Sequence, residues 1–470
     1  MLEDVKTIVG ATNVSEGADM ARWTHDWTGI YHWRPLAVVR PANTDEVSKV
    51  MRLAHETGTP VVPVSGNSGL SGGTQADGAL MLSLDRMNTI REVRAPARIA
   101  IVEAGVVLTA LHDAADAEGL IFPLTFGARG SAMIGGCLST NAGGSNVLRY
   151  GNTRDLCLGL EVVLPDGRVM DLMSELHKDN SGYDLRHLMI GAEGTLGIIT
   201  AAVLKLAPKP RAYATAMVAA PDLDQALILL NRLQEATGGT VEAFEYMPRT
   251  YIEGHLARFN DAREPFDDPH DVNILVEVGT TTPRDSTPGP DGQVPLTSYL
   301  EEVLGSMFED GTLLDAVVAQ NDSQRAAMWA RREAAAEIAL ARRPIVVTDI
   351  AVPLDRVATF LTRIEARLPT LDPGAESISV AHLGDGNVHF TVWPSTDDTA
   401  VHDAINEAVE DEVLRLGGSF SAEHGIGTSK LPSMSRRKNP VAVDAMRAIK
   451  AALDPKGIMN PGKVLPPETS

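Results

Sequence analysis

Two histidines and an adjacent carboxylate–histidine pair are the residues of this chain best suited to chemistry. The histidines lie in Ile378-Ser-Val-Ala-His-Leu-Gly-Asp-Gly-Asn-Val-His-Phe-Thr-Val-Trp393. β-Type runs flank Asp385-Gly386, a dipeptide that closes tight hairpins. A two-residue turn there pairs Gly384 with Asn387, Leu383 with Val388 and His382 with His389. Directly opposed side chains share one face, with Cβ atoms about 4.5–5.5 Å apart, close enough for two imidazoles to hold one divalent ion. The second piece is Ser421-Ala-Glu-His-Gly-Ile-Gly427, in which Glu423 is the natural third ligand and His424 the adjacent base. Zinc suits a two-histidine, one-carboxylate set with an open position, and manganese is the alternative. The same spacing also describes a stacked, hydrogen-bonded histidine pair in a core sheet beside a separate Gly-rich turn.

Such side chains need a rigid platform, and residues 211–424 supply the pattern for one. Helical stretches such as Leu223–Ala236 and Asp322–Ala341 alternate with strands such as Val272–Val278, a mixed α+β pattern. Thr280–Pro295, rich in Thr, Pro, Gly and Asp, reads as a mobile loop. The first third also alternates helix and strand. Asn43 caps a helix that Gly58 stops. Three glycine blocks stand out: Ser65–Gly73, Gly127–Gly136 with Asn141–Gly144, and Gly191–Gly197. Glycine reaches φ > 0, and successive N–H groups can then cradle an anion such as a phosphate. The first block joins a strand to a strand and is GxxGxxG, which argues against a Rossmann site, where GxGxxG opens a helix. Gly457–Lys463 fits GxxxxGK, but Val464 follows, Asn460-Pro461 interrupts it and no strand precedes it, so it is not a P-loop. Pro208-Lys-Pro210 breaks the pattern and marks a boundary. Two domains result: 1–210, completed by 425–470, and 211–424.

Composition sets outer limits. Lys and Arg number 41 against 62 Asp and Glu, a net charge of -21, and the longest basic run is Arg436-Arg437-Lys438. That argues against nucleic acid as a partner. No run of about 18 apolar residues exists, so no membrane-spanning helix is expected. The opening MLEDVKTIVG lacks a signal pattern, so cytoplasm is the expected location. Cys137 and Cys157 sit in no metal-type spacing and read as buried thiols.

Taken together, Pro63-Val-Ser-Gly-Asn-Ser-Gly-Leu-Ser-Gly-Gly73, Gly130-Ser-Ala-Met-Ile-Gly-Gly136, Asn141-Ala-Gly-Gly144 and Gly191-Ala-Glu-Gly-Thr-Leu-Gly-Ile-Ile-Thr200 resemble the FAD domain of the vanillyl-alcohol-oxidase-type (PCMH-type) flavoproteins. With the histidine hairpin, the Glu423-His424 motif, Lys178-Asp-Asn-Ser-Gly-Tyr-Asp-Leu185 and Asn460-Pro-Gly-Lys463, the chain resembles the FAD-linked D-2-hydroxyacid dehydrogenases within that superfamily. D-lactate dehydrogenase, the glycolate oxidase flavin subunit and D-2-hydroxyglutarate dehydrogenase form that group. The implied fold is α+β: a PCMH-type FAD-binding domain plus a substrate (cap) domain with an antiparallel sheet.

The resemblance implies FAD, with Ser65, Gly66, Asn67, Ser68, Gly69, Gly72 and Gly73 around the pyrophosphate. Ser131, Gly135, Gly136, Asn141 and Gly143 would line the flavin and ribityl chain. Glu193, Gly194, Gly197 and Ile199 would hold the adenine side, and Asn460 would return to the cofactor. The family's usual loop is Gly-Gly-Asn-Thr-Gly, and here it is Ser65-Gly-Asn-Ser-Gly, so the N–H contact at 65 is in doubt. Cys137 stands where Asn is common, at a position that does not fit the known covalent flavin linkage.

The resemblance further implies a metal on His382, His389 and Glu423, with His424 as base. Trp329-Ala-Arg-Arg-Glu333 would supply Arg332 as the clamp on the substrate carboxylate, since an Arg fork fits a carboxylate. D-2-hydroxyglutarate dehydrogenases tend to carry Lys two residues before the position of Asp349; here Val347 stands there. That departure weakens D-2-hydroxyglutarate relative to D-lactate or another short acid without excluding it; the implied substrate class is D-lactate, D-2-hydroxyglutarate, D-malate or a similar D-2-hydroxyacid. In the implied reaction the hydroxyl proton goes to His424 and the C2 hydrogen passes as hydride to flavin N5, giving a 2-oxo acid. Electrons would leave to an electron-transfer flavoprotein, a quinone or a cytochrome; no nicotinamide fingerprint is present. A homodimer is compatible with this reading. Two competing readings are a metal-dependent hydrolase using Glu423 and His424, and a non-catalytic flavoprotein subunit that only passes electrons.

Overall fold

The structure is a computed structural model, and it describes residues 1–467. The chain forms two units. One comprises Met1–Gly143, Gly151–Pro208 and the segment from Glu423 onward; the other comprises Gly144–Tyr150 and Lys209–Ala422. The sequence reading kept 144–150 in the first domain and placed Glu423 and His424 in the second. Both assignments change. The short segment packs in the second unit because Arg149 Nη1 donates to Glu242 Oε1 (2.5 Å) and to the Gly279 carbonyl (2.9 Å), while the Tyr150 hydroxyl donates to the same carboxylate (3.0 Å). Glu242 is 1 % exposed, and a buried carboxylate requires such partners.

In the first unit, a four-stranded sheet places Leu80–Ser83 between Ala37–Val39 and Val61–Val64, parallel to both. The first glycine block therefore runs between two adjacent parallel strands. Asn43 does cap the helix Thr44–Thr57: its side chain accepts from the Glu46 amide, and Gly58 ends the helix at φ 67°. A five-stranded antiparallel sheet carries Ile90–Arg94, Ile99–Glu103, Ile198–Lys205, Cys157–Val163 and Val169–Leu172 in that order.

The second unit is built on a seven-stranded, wholly antiparallel sheet. Its order is Asp315–Val318, Ala212–Ala220, Val272–Thr280, Val241–Pro248, Glu376–His382, Asn387–Trp393, Val346–Ala351. One face is apolar: Ala216, Val218, Ile274, Val276, Phe244 and Phe390 pack with residues of the helices Leu223–Thr237, Pro295–Glu309, Val357–Leu371 and Thr399–Arg415. The opposite face carries Met217, Leu275, Val380 and Trp393 under the helices Arg249–Arg258 and Asp322–Glu333. With both faces covered, strands such as Val272–Thr280 are buried throughout, which explains why apolar side chains occupy both faces rather than one. The helix expected over 322–341 is two, Asp322–Glu333 and Ala335–Ala339. The 280–295 stretch contains the short helix Pro283–Ser286.

The histidine hairpin has a different register from the two-residue turn. His382 pairs with Asn387, Ala381 with Val388 and Val380 with His389. Residues 383–386 form the connection, because the Asp385 and Gly386 amides both donate to the His382 carbonyl (3.1 Å each) and the Asp385 carboxylate accepts from the Asn387 amide (3.0 Å). The shift is by an even number of residues, so the side-chain face is unchanged. His382 and His389 become diagonal neighbours on one face, with ring centroids 5.5 Å apart in an edge-to-face arrangement.

Gly386 fixes this connection. Its φ is +82°, and a Cβ there would lie 2.1 Å from the Val352 carbonyl oxygen. Left-handed strain and a clash with backbone together make Gly386→Ala cost about 2–5 kcal/mol, read as a lowered thermal midpoint. Gly311, at φ +80° with nothing near its Cβ position, is the control: Gly311→Ala carries the strain alone and loses less.

Candidate active site

Four adjacent strands of the second unit set an acid, two histidines and an acid in a row. Glu245 is the ladder partner of His382, and Asp349 is the ladder partner of His389. His382 Nδ1 lies 2.9 Å from each Glu245 oxygen. His389 Nδ1 lies 3.7 Å from Asp349 Oδ1. Both carboxylates are buried, Glu245 at 1 % and Asp349 at 2 % exposure. Asp349 is itself held by Asn387, whose Nδ2 donates to Asp349 Oδ1 and to the Ile350 carbonyl, 2.9 Å each. An imidazole that gives its Nδ1 proton to a carboxylate offers Nε2 as the lone-pair atom, the arrangement common for metal-bound histidine. The buried Asn387 Oδ1 has no hydrogen-bond partner among the described residues, so the site also holds an open acceptor. The donor set fits a divalent ion.

Arg332 joins this row from above. The helix Asp322–Glu333 starts at Asn321, whose side chain accepts from the Gln324 amide, and spacings of four and seven put Arg325, Trp329 and Arg332 on one face. Arg325 (2.7 Å) and Trp329 Nε1 (2.8 Å) donate to Glu277, which also accepts from Thr215. Arg332 Nε comes within 2.8 Å of Glu245 Oε2 as an ion pair, although its N–H is not aligned for a hydrogen bond, and Nη2 is buried with no hydrogen-bond partner among the described residues. A buried guanidinium with an unsatisfied edge suits a carboxylate. Burial pushes the Glu245 carboxyl up, but His382 and Arg332 outweigh it and hold its pKa below the usual value.

Glu245 was not singled out in the sequence. Its signal is an acid within the otherwise buried strand Val241–Pro248: such a residue is there for its partners.

In the first unit, the glycine blocks converge on a set of unusual backbone conformations. Six described non-glycine residues have positive φ, and four of them, Asn67, Asn141, Glu193 and Asn460, are among those that the sequence assigns to the cofactor. Such conformations persist where the surroundings enforce them, and they cluster at ligand sites. The amides of Gly66, Asn67, Ser68 and Gly69 donate to no backbone carbonyl among the described residues. Asn460 Nδ2 donates to the carbonyls of Gly73 (3.1 Å) and Glu193 (2.7 Å), while its buried Oδ1 has no partner. These open donors and this open acceptor fit a phosphate-bearing cofactor.

Other assigned positions have structural reasons of their own. A Cβ on Gly66 would lie 2.1 Å from the Ser131 carbonyl, one on Gly135 2.8 Å from Ala104 Cβ, and one on Gly72 2.4 Å from Thr428 Oγ1. Gly194 packs on Pro63, Gly197 packs on Val162, and Ile199 is a ladder partner of Val162. Ser65 lies against Gly135 and Gly136, and Gly143 is buried at the end of its segment.

Glu193 also has structural contacts of its own. Its amide donates to Ser139 and its carbonyl accepts from Asn460, while its carboxylate accepts from the amides of Ile426 (2.7 Å) and Gly427 (2.8 Å). Burial raises its pKa, with these two amides opposing. Its polar groups therefore brace the segment that follows His424. Ser71 helps from the other side, its hydroxyl donating to the His424 carbonyl (3.0 Å). Upstream, the chain is tied within the second unit, where the Ala422 amide donates to the Asp349 carbonyl (3.2 Å). Both cysteines are buried free thiols, their pKa values pushed up to about 12 by burial.

Comparison with known proteins agrees with these features. The family of FAD linked oxidases, C-terminal domain, matches residues 209–464, and an FAD binding domain matches 35–173. A D-2-hydroxyglutarate dehydrogenase of Xanthomonas citri pv. viticola is 36% identical over 456 residues, covering 96% of this chain and 93% of that one. The mitochondrial D-2-hydroxyglutarate dehydrogenase of Bos taurus is 38% identical, covering 94% and 79%. In fold, a crystal structure of p-cresol methylhydroxylase with substrate bound superposes with a TM-score of 0.73 at 16% identity, covering 98% of this chain and 95% of that chain. The α+β, PCMH-type architecture is thus present, and the chain belongs to the FAD-linked D-2-hydroxyacid dehydrogenases, oxidoreductases acting on a CH–OH group.

Proposed function

We propose that this enzyme oxidises a short D-2-hydroxyacid to the 2-oxo acid, with a divalent metal on His382, His389 and Glu423 and with His424 as base. The observation that carries the reading is the buried Arg332 beside the histidine pair, with Nη2 lacking an acceptor. It offers the positive fork that a 2-hydroxycarboxylate requires. When bound, FAD supplies the hydride acceptor, and the metal supplies positive charge at the hydroxyl. Arg332 orients the carboxylate, and His382 and His389 would help hold the ion. His424 accepts the 2-hydroxyl proton on a ring nitrogen, as neutral imidazole does near pH 7. Glu423 enters by its motif and by its place one residue past Ala422.

Substrate size is read from Val347. It lies on the same face as Asp349, is the ladder partner of Thr391, and is 52 % exposed. No cation stands at that position to meet a distal carboxylate, which favours D-lactate or another short acid. The names of the relatives favour D-2-hydroxyglutarate as the second reading. The test is anaerobic bleaching of the FAD-loaded protein by D-lactate, D-malate and D-2-hydroxyglutarate and by their L-enantiomers. Bleaching by D-enantiomers alone, fastest with D-lactate, is the expected result. Failure of every D-acid to bleach a preparation that shows a flavin band would overturn the proposal. Val347→Lys is expected to raise kcat/KM for D-2-hydroxyglutarate relative to D-lactate about tenfold, one charge-assisted contact at a half-open position.

The electron acceptor is proposed from the family as an electron-transfer flavoprotein, a quinone or a cytochrome. Among the described residues, no helix is long and apolar enough to cross a membrane.

A further inference from the structure

We propose that Glu245 is a positioning residue that uses one buried carboxylate to set both the tautomer of His382 and the place of Arg332. The inference rests on the function proposed above and adds to it the group that couples its metal side to its substrate side.

The argument starts from burial. Glu245 sits mid-strand with Leu275 as its ladder partner on one side and His382 on the other. An apolar residue would suit that strand better, since a buried charge must be repaid by good partners. Glu245 contributes little that Val or Leu would not, except orientation. Its oxygens lie 2.9 Å from His382 Nδ1, and Oε2 lies 2.8 Å from Arg332 Nε. A carboxylate only accepts, so Nδ1 must carry the proton and Nε2 the lone pair. The same contact holds the Nε edge of Arg332 and leaves buried Nη2 as its open donor. Both carboxylate oxygens face these two side chains, so Glu245 orients ligands rather than being one. Glu245 thus joins His382 to the proposed substrate clamp.

The test uses the full-length, FAD-loaded protein with Zn²⁺ and D-lactate as probes. Glu245→Gln keeps the shape and removes the charge. Zinc affinity, measured by competition with a chromophoric chelator, is expected to fall about 10–100-fold, and KM for D-lactate to rise more than kcat falls. The flavin band serves as the check on folding. Zinc affinity within about twofold of the parent would overturn the proposal. Should the variant not fold, the parent answers directly. Nitrogen NMR of ¹⁵N-histidine-labelled, metal-free protein is expected to show His382 protonated at Nδ1 only, and an Nε2–H tautomer would sink the idea. A parent that binds no zinc and is not bleached by any D-acid defeats the proposed function instead, and the tautomer measurement stands apart from that outcome.

Discussion

His424→Ala is expected to slow anaerobic flavin reduction by about 10²–10⁴-fold, the range for loss of a general base, with the flavin band and the zinc content unchanged. The expectation of an intact site follows from how the segment is held. Ser71 anchors the His424 carbonyl, Glu193 anchors the amides of Ile426 and Gly427, and Ser71 accepts from the amides of Thr428 and Ser429. None of these contacts uses the imidazole, so truncation removes the ring and leaves the backbone in place. Stopped-flow reduction by a saturating D-acid isolates the chemical step from product release. A loss confined to KM, with kcat intact, would move His424 from proton transfer to binding. Turnover equal to that of the parent would remove it from the mechanism altogether.

The parts of this molecule that were legible in the sequence are those written in local chemistry. Asn43, Gly58, the apolar runs and Pro208 announced their elements because capping, burial and chain stiffness act over a few residues. The glycine blocks announced a cofactor because few other residues reach φ > 0 cheaply. The hairpin shows where this stops. Asp385-Gly386 correctly signalled a turn, yet the His382 carbonyl captured two amides and lengthened it to four residues. The shared face of His382 and His389 survived only because the slip was even. Glu245 and the role of Asp349 were not legible, because each acts across strands: Glu245 lies 137 residues from His382. The bracing contacts of Glu193 were not legible for a related reason. Its motif is that of a cofactor loop, whereas its carboxylate serves amides more than 230 residues away. The motif fixes where the residue stands; the partner decides what it does.

Stripping the metal with a chelator is expected to cut flavin reduction by a D-2-hydroxyacid at least about a hundredfold, with recovery on adding zinc. A bound cation stabilises developing negative charge by several kcal/mol, and about 1.4 kcal/mol corresponds to a factor of ten in rate. Chelation is a cleaner test than truncating a ligand. Removing the His389 ring would leave the buried Asp349 carboxylate without the imidazole at its side, and removing the His382 ring would strip Glu245 of a partner. Either substitution would mix lost metal with a buried carboxylate that has lost one of its partners. Chelation leaves both acid–histidine pairs formed, so the rate change reports the ion alone. The flavin band should persist, because the residues assigned to FAD share no ligand with the histidine pair. Substituting manganese for zinc then separates geometry from charge: a rate restored by both ions means that charge suffices, and restoration by zinc alone means that the ligand set selects its metal. A chelated protein that reduces at the parent rate, with metal analysis showing none bound, would leave Arg332 and His424 as the whole machinery. In that case Glu245 and Asp349 would serve to orient two half-buried histidines in the sheet.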